Sequence, residues 1–385
     1  MTTRIEADWL RSEPAQRAAK LLREAGHQAL FVGGCVRNAL LGAPVADIDM
    51  STGAHPPAVM ALAKAADIRA VPTGIDHGTV TLVIDGTPIE ITTFRKDVET
   101  DGRRAVVAFA SRIEDDAMRR DFTMNALYCD AAGVIIDPLG GLPDLEQRAV
   151  RFVGDADARV REDYLRILRF FRFHAWYGAD GIDPDGLDAC ARNADGLAKV
   201  SAERIGVEVL KLLSAPDPAP SVAAMGQSGV LATVLPGADP EALTRMVHLG
   251  PEADPIARLA SLGGEDQVNR LRLSRADARR LVLLRDAAAG GAPPGALGFN
   301  LGETDGAAAL ALRSAWLETP LSKEAAALVR HGSTQRFPVT AKDLMDTYSG
   351  AALGARLEQL KTAWIASDFQ MTKAELLALP PVQLS

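Results

Sequence analysis

The chain has 385 residues, 48% of them hydrophobic and 24% charged, with a net charge of −8, which excludes a disordered chain and calls for two or more packing units. No apolar run approaches the ~18 residues of a membrane span, and the start, Met1-Thr-Thr-Arg-Ile-Glu-Ala-Asp, is not a secretory leader, so a cytoplasmic protein is expected. Three well-separated cysteines (Cys35, Cys129, Cys190) and six scattered histidines support neither a disulfide framework nor a zinc site.

In chain order, the apolar run 29–32 ends at Gly33-Gly34, and a helical pattern over 36–41 is stopped by Gly42. Residues 46–50 read as a strand. Two β-rich runs, 80–84 and 89–94, flank Asp85-Gly86, a strong hairpin signal. The polar stretch 95–111 is expected to be a mobile loop. Residues 122–127 read as helical and 133–136 as a strand. Near residue 155 the chain changes character and becomes almost entirely helical. One strong helix is expected over 159–177, and a second over 202–213 with Ser201 as its N-cap. Further helices run to about 289, the Gly- and Pro-rich stretch 290–306 reads as a linker or long loop, and the rest is helical apart from a loop at 332–340. The fold class is therefore an α+β N-terminal unit with a mixed or antiparallel sheet, followed by all-α segments.

Three features carry chemistry. Asp47-Ile48-Asp49 sets two carboxylates two residues apart on a strand, where they face the same way. Neighbouring carboxylates repel and call for a cation, and magnesium accepts their oxygens while keeping positions open for phosphate. Glu90 lies between Ile89 and Ile91, so alternation puts it on the opposite face from the isoleucines, where it would complete a carboxylate triad with Asp47 and Asp49. Gly33-Gly34, between a strand and a helix, lets the backbone approach a ligand and offers N–H groups to phosphate. The negative net charge argues against nucleic acid as a partner. Locally, however, seven arginines (Arg148, Arg151, Arg159, Arg161, Arg166, Arg169, Arg172) stand against four acids between 148 and 172, a stripe able to follow a phosphate backbone.

Together these segments resemble the bacterial tRNA nucleotidyltransferase and poly(A) polymerase family, class II of the polymerase-β-like nucleotidyltransferases. The resemblance runs in order through Phe31-Val-Gly-Gly-Cys-Val-Arg-Asn-Ala-Leu-Leu-Gly42 with Asp47-Ile-Asp-Met-Ser-Thr52, Pro72-Thr-Gly-Ile-Asp-His-Gly-Thr79, Ile89-Glu-Ile-Thr-Thr-Phe-Arg95, Arg119-Arg-Asp-Phe-Thr-Met-Asn-Ala126, Asp137-Pro-Leu-Gly-Gly141 and Glu162-Asp-Tyr-Leu-Arg166 with Ile-Leu-Arg-Phe-Phe-Arg-Phe173. It is fainter at Val200-Ser-Ala-Glu-Arg204 and in the tail. One position departs from the pattern. After Val36-Arg37 the family usually has aspartate and this chain has Asn38, which keeps the shape, loses the charge and weakens any pairing with an arginine.

The resemblance implies a nucleotidyltransferase head over 1–154, a helical neck over 155–220, a body over 221–290, and a linker with a tRNA-binding tail over 291–385. It implies that Asp47 and Asp49 hold Mg2+ against the triphosphate of CTP or ATP, with Glu90 assisting as the tRNA 3′-hydroxyl attacks. Gly33, Gly34 and Arg37 would contact the triphosphate. Arg119, Arg120, Asp121 and Asn125 would bind the ribose and triphosphate side, and Arg169 and Arg172 the RNA. Asp163 and Arg166, three apart on one expected helix, share a face. An aspartate accepts from the amino group of cytosine or adenine and an arginine donates to the ring nitrogen, so the pair would serve as a protein template. Within the family, Asp101-Gly102-Arg103 argues against a CC-only enzyme, and the lack of a long basic extension argues against a poly(A) polymerase. An A-adding enzyme stays open. The intact Asp47, Asp49 and Glu90 set argues against an inactive RNA-binding scaffold, and the absence of any His-Asp pair argues against an added phosphohydrolase.

Overall fold

The computed structural model describes residues 4–101, 104–179, 181–250 and 253–381. Its strands are β1 (Ala29–Val32), β2 (Ile48–Thr52), β3 (Arg69–Gly74), β4 (Thr79–Ile84), β5 (Thr87–Thr93), β6 (Arg95–Asp101), β7 (Arg104–Phe109), β8 (Tyr128–Cys129) and β9 (Ile135–Ile136). Seven of them form one sheet in the order β3-β4-β5-β2-β1-β8-β9. The sheet is mixed, as expected: β2 and β5 run parallel, and the other neighbours are antiparallel. The β4–β5 hairpin turns on Asp85 (φ 51°) and Gly86 (φ 80°), the two left-handed residues that such a tight connection requires. Alternation holds along β5, with Ile89 and Ile91 buried and Glu90 exposed.

Behind the sheet, the helix Glu13–Glu24 starts from Ser12, whose hydroxyl accepts from the Ala15 N–H, and buries Ala15, Ala18, Ala19 and Leu22. That spacing is one face of a helix. On the other side, Phe122, Phe152, Phe170 and Phe173 stack with ring centroids 4.8–6.3 Å apart, so the helix Leu165–Tyr177 shares a core with the strand-rich segment. The chain forms two compact units, Met1–Pro236 and Gly237–Ser385. The division falls inside the segment expected to be the body.

Three expectations are corrected. The stretch 95–111 is largely a β6–β7 antiparallel ribbon, paired from Arg95↔Phe109 to Asp101↔Arg104. Gly102 and Arg103 lie outside the described residues. The single helix over 159–177 is instead two, Ala156–Glu162 and Leu165–Tyr177, broken where Asp163 turns extended (φ −150°, ψ 104°). The Asp163 carboxylate accepts from the Leu165 N–H at 3.1 Å. This is the local competition with helix bonding that makes aspartate a helix boundary.

Finally, the stretch 290–306 is not a linker. Residues Pro294–Leu317 are helical apart from a break at Gly302 (φ 80°, ψ 177°). Its glycines signal close packing rather than looseness. A Cβ on Gly298 would lie 1.9 Å from the Val329 carbonyl oxygen, and one on Gly332 would lie 2.0 Å from that of Gly295, so only glycine lets the helix Lys323–Ser333 approach this closely. The helix Ala202–Leu213 has the expected ends, although the Ser201 side chain makes no capping bond.

Candidate active site

β2 and β5 run side by side in register, which pairs Asp49 with Glu90 across the sheet. Asp49 is half-buried and Glu90 exposed. Asp47 falls just before β2, on the exposed stretch 43–47 rather than on the strand. Burial pushes the Asp49 carboxyl up to about 6, with Glu90 and Asp47 adding to the rise and Arg120 opposing it. Among the described residues no three His, Cys, Asp or Glu side chains come together closely enough to hold a metal ion. The expected triad is therefore not preformed: Asp49 and Glu90 are register partners, and Asp47 stands ahead of them. The donors still suit a hard cation. Magnesium is held by one or two carboxylates plus waters and substrate phosphates, not by an all-protein cage, and a carboxylate strained by burial and like charge gains most from a cation.

Beside this acidic shelf, Gly33 links β1 to the helix Gly34–Leu40 with φ 71° and ψ −122°, a conformation open to glycine. A Cβ there would lie 3.3 Å from Arg120 Nη1, so the guanidinium covers the glycine turn. Arg120 donates to Asp116 Oδ2 and to the Tyr128 hydroxyl, both at 3.2 Å, while Arg119 Nε donates to Asp116 Oδ1 at 2.9 Å. Asp116 is fully buried and also accepts from the Tyr128 hydroxyl at 2.8 Å. Burial alone would raise its carboxyl, but Arg120, Arg119 and Tyr128 hold it below the usual range. Asp116 was absent from the sequence-derived site. Its signal was the i,i+3 and i,i+4 spacing to Arg119 and Arg120.

The remaining site residues meet at the seam with the helix Leu165–Tyr177. Arg37 is only 6% exposed. It donates to Asn125 Oδ1 at 2.5 Å and to the Tyr177 hydroxyl at 2.8 Å, and lies 4.0 Å from the Tyr177 ring centroid. Burial pulls its pKa down, against Tyr177 and Asp121. Asn125 Nδ2 donates to Asp121 Oδ1 at 2.8 Å, and Arg169 Nε donates to Asp121 Oδ2 at 2.8 Å. Despite burial, Arg169 and Asn125 bring the Asp121 carboxyl down to about 2.

Asp163 and Arg166, the pair expected to select the base, are both brought to this seam, but not on one continuous helix. Asp163 accepts from Arg204 Nη2 at 2.6 Å, and Arg166 binds Glu162 and the Arg159 carbonyl. The basic stripe is also not a free cationic face. Arg151 pairs with Asp144, Arg161 with Asp157, Arg169 with Asp121 and Arg172 with Glu208. Tyr177, Glu162, Arg204 and Glu208 were missed because they lie far from their partners in sequence or read as ordinary helix surface.

Residues 29–151 match the Poly A polymerase head domain family, and residues 181–241 match a family described as the probable RNA and SrmB- binding site of polymerase A. The CCA-adding enzyme of Geobacillus thermodenitrificans is 43% identical over 229 residues, 58% of this chain and 55% of that one, so the chain spans about half of that relative's length. Human mitochondrial CCA tRNA nucleotidyltransferase 1 is 33% identical over 396 residues, 95% of this chain and 89% of that one. The crystal structure of the Bacillus stearothermophilus CCA-adding enzyme in complex with CTP superposes with a TM-score of 0.77 at 28% identity, covering 94% of this chain and 96% of that one. Among the described residues no helix is long and apolar enough to cross a membrane. The chain belongs to the class II CCA-adding enzyme and poly(A) polymerase family of nucleotidyltransferases.

Proposed function

We propose that this protein adds C, C and A to the tRNA 3′ end from CTP and ATP without a nucleic-acid template. The observation that carries the reading is the register pairing of Asp49 with Glu90, beside a glycine turn covered by Arg120. It supplies, on adjoining strands, carboxylates for a cation and a backbone turn for phosphate. Asp47 and Asp49 would hold Mg2+, whose chemistry when bound is to neutralise triphosphate charge and acidify the 3′-hydroxyl. Glu90 completes the acidic face toward that hydroxyl. The 3′ hydroxyl gives its proton to solvent, its oxygen bonds to the α-phosphorus, the bond from that phosphorus to the bridging oxygen breaks, and pyrophosphate leaves with the electron pair. Arg119 and Arg120, anchored by Asp116, present fixed positive charge to the triphosphate.

Asp163 and Arg166 select the base. Arg204 and Glu162 fix the two side chains, and each keeps hydrogen-bonding capacity for the amino and ring-nitrogen edge shared by C and A. A site that leaves buried groups unpaired with the wrong base rejects it by ~10⁴. We assign the head to 1–154, the neck to 155–220, the body to 221–290 and a tRNA-binding tail to 291–385. A cytoplasmic location is part of this proposal.

The test is incubation with Mg2+ and a tRNA lacking CCA, offering each labelled nucleotide singly and then CTP with ATP. Two C and one A, then a stop, is the expected product. A alone on a CC end would make it an A-adding enzyme, long A tails a poly(A) polymerase, and no incorporation would refute the catalytic reading.

A further inference from the structure

We infer that Asn38 is a positioning residue that fastens the stretch carrying Asp47 to the helix behind it. The inference rests on the reading of Asp47 as a metal carboxylate. The helix Gly34–Leu40 ends in a left-handed cap at Gly42 (φ 67°). The Gly42 N–H donates to the Ala39 carbonyl at 3.2 Å, and the Ala43 N–H donates to the Asn38 carbonyl at 2.8 Å. These are the paired closing bonds of a glycine C-cap. The Asn38 side chain adds a third tie, with Nδ2 donating to the Pro44 carbonyl at 2.7 Å. On its other side, Oδ1 accepts from Arg37 Nε at 3.1 Å and Nη2 at 2.8 Å.

The partners dictate which way this amide points. A guanidinium can only donate and a carbonyl oxygen can only accept, so oxygen faces Arg37 and nitrogen faces Pro44. Residue 38 thus grips the chain at 43 through its backbone and at 44 through its side chain, three residues ahead of Asp47. Residues 43–47 lie in neither helix nor strand, so these contacts set where Asp47 stands at the entrance to β2.

The family's usual aspartate would not serve here. Aspartate would keep, and even strengthen, the contact with Arg37. At Pro44, however, it would replace a donor with a second acceptor and set two oxygens against each other. The change of charge at this position is therefore matched to the loop. It is not simply a weakened arginine pair, as the sequence alone suggests.

N38D separates the two roles, because it preserves the Arg37 contact and removes only the Pro44 bond; N38A removes both. In nucleotide-free protein, hydrogen exchange of the Ala43 amide, whose N–H closes the cap on the Asn38 carbonyl, should accelerate about tenfold in both variants as the loop it belongs to loses its side-chain tie. The exchange of the central strands should stay unchanged, which shows that the fold is kept. In tRNA extension, the Mg2+ concentration for half-maximal rate should rise about tenfold in N38D, while its KM for CTP stays within about twofold because Arg37 is still held. Unchanged exchange of the Ala43 amide in N38D would overturn the anchor. Faster exchange with unchanged Mg2+ dependence would overturn its bearing on Asp47. If the parent protein extends no tRNA, the functional reading fails separately, and Mn2+ affinity of the nucleotide-free protein, followed by electron paramagnetic resonance, decides between the same two results.

Discussion

Two acidic regions of the first unit are built in opposite ways. On the β2–β5 shelf, burial and neighbouring Glu90 and Asp47 push Asp49 up to about 6. At the seam with the helix Leu165–Tyr177, burial is outweighed by Arg169 and Asn125, and Asp121 falls to about 2. Both acids are partly or wholly buried near an arginine, yet one is left in want of a cation and the other has one built in. The arginines of the neck stretch complete the second region: Arg166, Arg169 and Arg172 each hold a carboxylate of the same unit. The seam is thus self-neutralised and rigid, while the shelf awaits charge from outside. On the proposed function, that difference separates the carboxylates that take up the cation from those that hold neighbouring side chains in place.

Changes at the shelf should cost activity and not stability. Asp49→Asn removes a carboxylate that the fold strains, so addition to tRNA should fall by on the order of 10³-fold while the thermal midpoint holds or rises. Appreciable retained addition, read from labelled CTP incorporation, would sink the metal assignment. The reverse is expected at the seam. Asp121→Ala leaves Arg169 without its acid and Asn125, which holds Arg37, without its acceptor, and should cost about 3 kcal/mol of stability, measured by urea denaturation; a loss below about 1 kcal/mol would show that the seam is not structural.

Selectivity should depend on the seam more gently. Replacing Asp163 or Arg166 by alanine should relax discrimination against UTP and GTP by about 100-fold, and unchanged selectivity in single-nucleotide incorporation would refute the protein-template role. The smallest effect is on pH dependence, and its sign differs between the regions. Asp121, with its folded pKa depressed, contributes about 2 kcal/mol that is present above pH ~4 and lost as pH falls toward 2. Asp49, with its folded pKa raised, favours the fold below pH ~4, and that contribution is lost as pH rises through about 6. Urea titrations of D121N and D49N against the parent protein should therefore diverge in opposite pH windows. A common window would erase the distinction.

Local chemistry in the sequence located the sheet and the shelf. Asp85-Gly86 set the hairpin, Ile89 and Ile91 set the face of Glu90, and Gly33 set the turn under Arg120. These are signals carried within a few residues. What sequence reading lost depends on contacts between distant segments. Asp163 interrupts an expected helix, and its far oxygen meets Arg204, 41 positions on. Gly295, Gly298 and Gly332 look like loosening residues until two helices are seen to close on them. Most of the arginine stripe reads as a nucleic-acid surface until Asp121, Asp144 and Glu208 arrive from elsewhere in the chain. Asp116 was within reach, since its spacing to Arg119 and Arg120 is helical.

The central claim is that Asp49 is a carboxylate held ready for a cation, and Asp121 one already satisfied. Carboxyl carbon NMR titration of both residues, without and then with Mg2+, tests it most directly. Asp49 should titrate near 6 and drop when Mg2+ is added, while Asp121 stays near 2 in both conditions. If both residues titrate near the ordinary aspartate value and Mg2+ moves neither, the account is contradicted.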